Sequence, residues 1–200
     1  CEACPACLAA KGHFCEHMTG IGTMVNGGFA EYVAVPAKQT HLVSAKTDLK
    51  AAAMTEPLAC CLHGIDMCGI VPGDKVLVIG AGMIGLLMLQ LARLSGAAFV
   101  AVSEPVAAKR EEAAKLGADL CLDPSAMPAE EFEEKCRGYN FNCVIECCGL
   151  VKTIEQAVRA AGYKATVMMF GLTKPDDAIS LKPYDVFSKE LTLRSSYINP

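Results

Sequence analysis

The sequence predicts an α/β protein built on a doubly wound, six-stranded parallel sheet. Three observations carry this. From about residue 74 onward, short apolar runs alternate with helical segments until six strands have been laid down. One strand-to-helix turn, residues 76–85, reads V-L-V-I-G-A-G-M-I-G, with glycines where a tight turn against a phosphate needs them. The composition, 52% hydrophobic with 17 glycines and 20% charged residues, supplies strands buried on both faces and excludes a disordered chain.

Each element follows from its own residues. Residues 76–79 form the first strand, and the helix after it, 83–95, stops at Gly96. The second strand is 97–103. Pro105 fits the first position of the next helix and Gly117 the position just past its end. Residues 120–122 are a short third strand. The helix 128–137 carries acidic residues near its start, which suits the helix dipole. A fourth strand, 143–147, precedes a helix at 153–161 that ends at Gly162. The fifth strand, 165–170, a polar loop, a short helix near 184–189 and a sixth strand, 191–197, complete the sheet.

Residues 1–53 differ. They are irregular and read as part of a β-rich domain, with strands expected at 29–35, ended by Pro36, and at 42–43. The change of composition near Met54 divides the chain into 1–53 and 54–200. The chain opens on Cys1 and closes just after an apolar stretch, so it is expected to be an internal piece of a longer protein.

Charge and composition exclude several functions. A net charge of −4, no Trp and 6% aromatic residues give neither the basic face nor the stacking platform of a nucleic-acid-binding protein. The longest apolar run, 76–89, contains Gly80, Gly82 and Gly85 and falls short of the roughly 18 residues of a membrane span. With no signal peptide, a reduced, cytoplasmic setting is expected.

The glycine pattern, standing between a buried strand and a helix, points to a dinucleotide. Gly80 permits the turn, Gly82 lets a pyrophosphate approach the backbone, and Gly85 lets helix and strand pack closely. The N–H groups at the helix start, at Met83 and Ile84, would face the phosphates. Glu104, at the end of the second strand, stands where a ribose diol would be held, and its charge would repel a 2′-phosphate, so NAD is expected over NADP. Lys109 and Arg110 nearby weaken that repulsion; a solvated strand-end carboxylate is the plainer alternative. The nicotinamide end is expected past the later strands, near Cys147, Cys148 and Gly149, near Gly171 and Leu172, and near Ser195 and Ser196.

Four of the twelve cysteines, Cys1, Cys4, Cys7 and Cys15, are spaced C-x2-C-x2-C-x7-C. Four thiolates on a short, turning segment close a tetrahedral site with no open position, as in structural zinc. An iron–sulfur cluster is the main rival, although here the fourth cysteine follows after seven residues and precedes Glu16. His13 and His17 read as loop histidines beside a site that four thiolates complete. The other eight cysteines lie in apolar stretches and read as small core residues.

Taken in order, the Cys4 lobe, G-G-F-A-E-Y, the E-P-L of residues 56–58 and V-L-V-I-G-A-G-M-I-G resemble the zinc-containing medium-chain dehydrogenase/reductase family, most closely its sorbitol (L-iditol) and butanediol dehydrogenase branch. The resemblance runs along essentially all of the chain. It implies a GroES-like catalytic domain, of which residues 1–53 match the later part, followed by a Rossmann domain at 54–200. It also implies a homo-oligomer that oxidises a polyol or diol with zinc and NAD. In this family the catalytic zinc is held by an early Cys and a His-Glu pair that precede the structural lobe. They are absent here, so the fragment itself is not expected to be competent. One catalytic-zone position is present: Glu56 matches the glutamate that lies beside the catalytic zinc in polyol and threonine dehydrogenases, as ligand or as partner of its water. A helix-capping acid is the alternative for Glu56. His63, further along the same helix, reads as a packed or hydrogen-bonded histidine. Threonine or simple-alcohol oxidation, or a nucleotide-binding module without chemistry, remain the alternatives for the whole.

Overall fold

In a computed structural model that describes residues 1–199, the chain divides into two compact units, Cys1–Glu56 together with the last residues from Tyr197, and Pro57–Ser196. The expected second domain runs on to Pro200, which lies outside the described residues.

The first unit is mostly turns. It holds a four-residue helix, α1 (Pro5–Leu8), started by Pro5, and 3-10 turns at Gly12–Phe14 and Ala37–Gln39. A second short helix, α2 (Leu49–Ala52), is capped by the Asp48 carboxylate on the Lys50 N–H. The strands expected at 29–35 and 42–43 do not form. An extended segment becomes a strand only when a neighbour takes up its N–H and C=O groups, and among the described residues these segments have no ladder partner; Phe29, Tyr32 and Leu42 stand almost fully exposed. The helix α3 (Thr55–Cys68) begins where the first unit ends.

The second unit carries the sheet. Its strands and helices follow in the order β1 (Lys75–Ile79), α4 (Met83–Leu94), β2 (Phe99–Ser103), α5 (Ala107–Lys115), β3 (Leu120–Leu122), α6 (Ala129–Tyr139), β4 (Phe141–Glu146), α7 (Val151–Ala160), β5 (Ala161–Met169), α8 (Pro183–Lys189) and β6 (Thr192–Ser195). All strand pairs are parallel, in the order β3-β2-β1-β4-β5-β6. The order reverses between β1 and β4, so a crevice opens beyond their carboxyl ends.

Alternate residues of β1, β2, β4 and β5 feed two cores. Val76, Val78, Val100, Val102 and Ile145 pack with Ile65 of α3 and Met88 and Leu89 of α4. Leu77, Ile79, Ala101, Val144 and Val167 pack with Phe132 and Cys136 of α6 and Ala157 and Val158 of α7. Cys61, Cys68, Cys136 and Cys143 are buried as expected, and burial pushes the Cys136 thiol up to about 12. Cys148 is exposed, contrary to its reading as a core residue.

Several element bounds differ from the expected ones by one to four residues, and two of these differences have a clear local cause. Pro105 does not start α5; the Glu104 carboxylate takes the Val106 N–H, and Arg110 Nη1 binds the Glu104 and Pro105 carbonyls, so the helix begins only at Ala107. Gly162 does not follow α7 as a stop but lies within β5, because pairing of Ala161 with Phe141 begins the ladder directly at the helix end.

Candidate functional site

The turn after β1 occupies the reversal point of the sheet. Gly80 has φ +98° and donates its N–H to the Ser103 carbonyl of β2. A Cβ on Gly85 would stand 1.9 Å from the Gly80 carbonyl oxygen, so only glycine lets α4 start this close to the turn. A Cβ on Gly82 would meet nothing within 4 Å: the backbone there is open to a ligand. Gly82 caps α4 without a side chain, and the first intrahelical bond is from Leu86 N to the Gly82 carbonyl. The N–H groups of Met83, Ile84 and Gly85 therefore have no intrahelical acceptor. An open glycine backbone in front of unspent N–H groups fits a pyrophosphate.

Glu104 closes one side of this turn. It is buried, its Oε2 accepts the Ala81 N–H at 2.8 Å and its Oε1 the Val106 N–H at 3.0 Å. The carboxylate is thus fixed by the turn it faces, not solvated. Arg110 is engaged, with Nη1 3.0 Å from Asp123 Oδ2, whereas Lys109 is exposed on the first turn of α5.

The other side is formed by the ends of β4 and β5, and here the structure adds a residue that sequence reasoning passed over. Glu146 is 0% exposed. Its Oε1 accepts from Cys148 N at 2.8 Å, Gly149 N at 3.0 Å and Thr153 Oγ1 at 2.7 Å. Its own carbonyl accepts from Phe170 N and Gly171 N. Gly149, at φ +69°, and Gly171 pack backbone to backbone; a Cβ on Gly171 would stand 2.1 Å from Gly149 N. Leu172 follows, almost fully exposed. Cys147 donates its N–H to the Ile79 carbonyl, and the Cys148 thiol lies against Gly80. The structure thus brings Gly80, Gly82, Glu104, Cys147, Gly149 and Gly171 to the carboxyl end of the sheet. Ser195 ends β6 and Ser196 follows it, with a buried hydroxyl that has no partner among the described residues. The signal for Glu146 was available: an acid closing an apolar strand is buried, and a buried carboxylate demands donors.

In the first unit, one sulfur each of Cys1, Cys4, Cys7 and Cys15 lies within 4.8 Å of all the others, the one such convergence of metal-binding side chains among the described residues. Backbone N–H groups already point at the sulfurs, Cys4 N at Cys1 Sγ and His17 N at Cys15 Sγ, both at 3.3 Å. The N–H groups of Cys7 and then Glu16 pull the Cys4 thiol down to about 7, toward the thiolate a metal needs. A closed set of four sulfurs fits tetrahedral zinc. The His13 and Phe14 rings meet at a tilt, with centroids 4.2 Å apart. Glu56 is not part of it: the carboxylate is exposed in the first turn of α3 rather than buried, a position the helix dipole favours. His63 is half-buried further along α3.

Comparison with known proteins agrees with this geometry. Residues 84–200 match the family model described as zinc-binding dehydrogenase. The chain is 34% identical to L-galactonate-5-dehydrogenase of Escherichia coli K12, over 98% of this chain and 57% of that protein. It is 34% identical to sorbitol dehydrogenase of Halalkalibacterium halodurans, over 85% of this chain and 51% of that protein. A zinc-binding dehydrogenase from Sinorhizobium meliloti 1021, solved bound to NADP, superposes with a TM-score of 0.94 at 40% identity, over 100% of this chain and 59% of that one. The chain thus spans little more than half the length of the proteins it matches.

Proposed function

The chain belongs to the zinc-binding dehydrogenase family, and from that premise we propose that it carries the cofactor-binding part of an oxidoreductase that transfers hydride from a secondary alcohol of a polyol or diol to NAD, giving a ketone. The observation that carries the proposal is the glycine turn at the reversal point of the sheet, open at Gly82 and closed at its flank by the Glu104 carboxylate.

Each residue has a part in this reading. The N–H groups of Met83, Ile84 and Gly85 bind the pyrophosphate, with Gly80 and Gly82 giving it access to the backbone. Glu104, fixed by two amides, keeps lone pairs for the ribose hydroxyls, and its charge opposes a 2′-phosphate; Lys109 lies within the first turn of α5 to meet an adenosine-side oxygen. Cys147, Gly149, Gly171 and Leu172 line the nicotinamide end, where the glycine-to-glycine contact leaves a flat backbone surface. Cys1, Cys4, Cys7 and Cys15 hold a structural zinc that fastens the first unit. Glu56 belongs beside the catalytic zinc, as ligand or as acceptor from its water. When bound, the nicotinamide supplies the hydride acceptor and the zinc supplies Lewis acidity toward the substrate hydroxyl. The chain's own contribution is orientation of the dinucleotide and exclusion of water from its reactive end.

We assign the first unit to a GroES-like catalytic domain and the second to a Rossmann domain, in a cytoplasmic homo-oligomer; no helix among the described residues is long and apolar enough to cross a membrane. The test is oxidation of a panel of polyols, diols, threonine and simple alcohols by the intact protein with NAD and with NADP. Turnover of polyols with NAD supports the reading; turnover of simple alcohols alone, or only with NADP, overturns it in its present form.

A further inference from the structure

We infer that Glu146 tunes the preference of this site between oxidised and reduced nicotinamide, by holding a buried negative charge directly behind the turn that receives the ring. The inference rests on the dinucleotide reading above. All the donors to the carboxylate are neutral, two backbone N–H groups and the Thr153 hydroxyl. Among the described residues Glu146 forms no ion pair. Hydrogen bonds disperse a charge without cancelling it, and a charge that is 0% exposed acts through protein rather than water.

The same charge acts on the two neighbouring thiols. Burial, followed by the charge of Glu146, raises the Cys147 thiol well above its ordinary value. Burial, then Glu146 and Glu104, push the Cys148 thiol up to about 11, and that thiol is the one lying against Gly80 in the crevice. Both thiols of the turn therefore stay neutral near neutral pH, and beyond the two strand ends Gly149 and Gly171 meet backbone to backbone, where a Cβ on Gly171 would also come 2.7 Å from Glu146 Oε2. The ring of oxidised nicotinamide carries a positive charge. Hydride delivery, one proton with two electrons, removes it. A fixed carboxylate behind the ring stabilises the charged form selectively, whereas a purely mechanical pin would hold both forms alike.

The experiment measures binding, not turnover. ADP-ribose, NAD and NADH are titrated by calorimetry into the intact protein and into Glu146→Gln, with melting curves for both. The expected result is a shift of the NAD-to-NADH affinity ratio toward NADH by about five- to tenfold, with ADP-ribose affinity unchanged. Equal weakening of NAD and NADH overturns the inference and leaves Glu146 a structural pin. Failure of the wild type to bind ADP-ribose and NAD removes the dinucleotide reading itself, and the inference with it. If Glu146→Gln does not fold, Thr153→Val decides: it keeps the charge and withdraws one neutral donor, so the ratio moves toward NAD, about twofold. No movement, or movement toward NADH, overturns the inference.

Discussion

Glu104 and Ala81 lie 23 residues apart and are joined by one hydrogen bond, Ala81 N to Glu104 Oε2 at 2.8 Å. This bond couples the acid at the end of β2 to the glycine turn after β1. It gives Glu104 the task of holding the turn, beside the proposed one of meeting the ribose.

Replacing Glu104 by Ser separates the tasks. Two amides lose their acceptor, so stability falls by about 1–3 kcal/mol. Loss of the charge weakens NADH binding and improves NADPH relative to it. Fluorescence titration with both reduced cofactors, beside a melting curve, reads the two effects. A wild type that binds NADPH as tightly as NADH would remove Glu104 as the discriminating group.

Gly82 and Gly85, three residues apart in the same turn, should respond in opposite ways. Gly85→Ala drives a methyl into the Gly80 carbonyl and costs about 3 kcal/mol. Gly82→Ala meets open space and leaves the melting temperature near that of wild type, but obstructs the pyrophosphate and lowers dinucleotide affinity. Denaturant curves and ADP-ribose titrations on the pair test both statements.

The four-cysteine lobe should carry one zinc per chain. Elemental analysis checks it, and iron with a visible absorption band would contradict it. Cys7→Ser, or prolonged chelation, should lower the melting temperature of the first unit and leave NADH affinity unchanged, since the four sulfurs converge on one another within that unit.

Asp119 should govern part of the acid limb of stability. Burial tends to raise its pKa, but the Val100 N–H and the Arg93 guanidinium outweigh burial and hold it below the ordinary value of 3.8. The folded chain thus binds this proton less readily than the unfolded one. The stabilisation is complete above pH 3.8 and is lost as pH falls through the lowered folded value. Asp119→Asn removes that component. Urea midpoints between pH 6 and pH 2 should fall less steeply in the variant than in wild type.

Glu56→Gln, made in the intact protein, distinguishes a residue beside the catalytic zinc from a helix-start acid. The first role predicts a large loss of kcat and a displaced pH–rate profile with NAD affinity preserved. The second predicts normal turnover and a stability change of about 1 kcal/mol or less.

How much of this was legible in the sequence depends on whether the cause was local. The strand at 120–122 was located to the residue, because a short apolar run bracketed by Gly117 and Asp123 has no other reading. The four-cysteine lobe was legible because spacing alone sets which sulfurs can meet. The strands expected at 29–35 and 42–43 failed because pairing depends on a neighbour that propensity does not supply. Glu104 was located by position, yet its grip on Ala81 required a contact 23 residues distant. Glu146 was legible as an acid closing an apolar strand, but the donors that hold it, the Cys148 and Gly149 N–H groups and the Thr153 hydroxyl, are set by the turn after β4 and were not.

The reversal of strand order between β1 and β4 also sets a schedule for biosynthesis. β1 is a central strand, and Lys75 finds Asn142, at the start of β4, 67 residues further along. At about 5–20 residues per second, a ribosome needs roughly 3–13 s to deliver that partner. Until then the Val76–Leu77–Val78–Ile79 run can be flanked by β2 on one side only, and by nothing before Phe99–Ser103 is made. Such an apolar, uncharged edge attracts strands from neighbouring nascent chains. Substitutions that slow arrival of β4 should therefore reduce soluble yield without altering the finished fold.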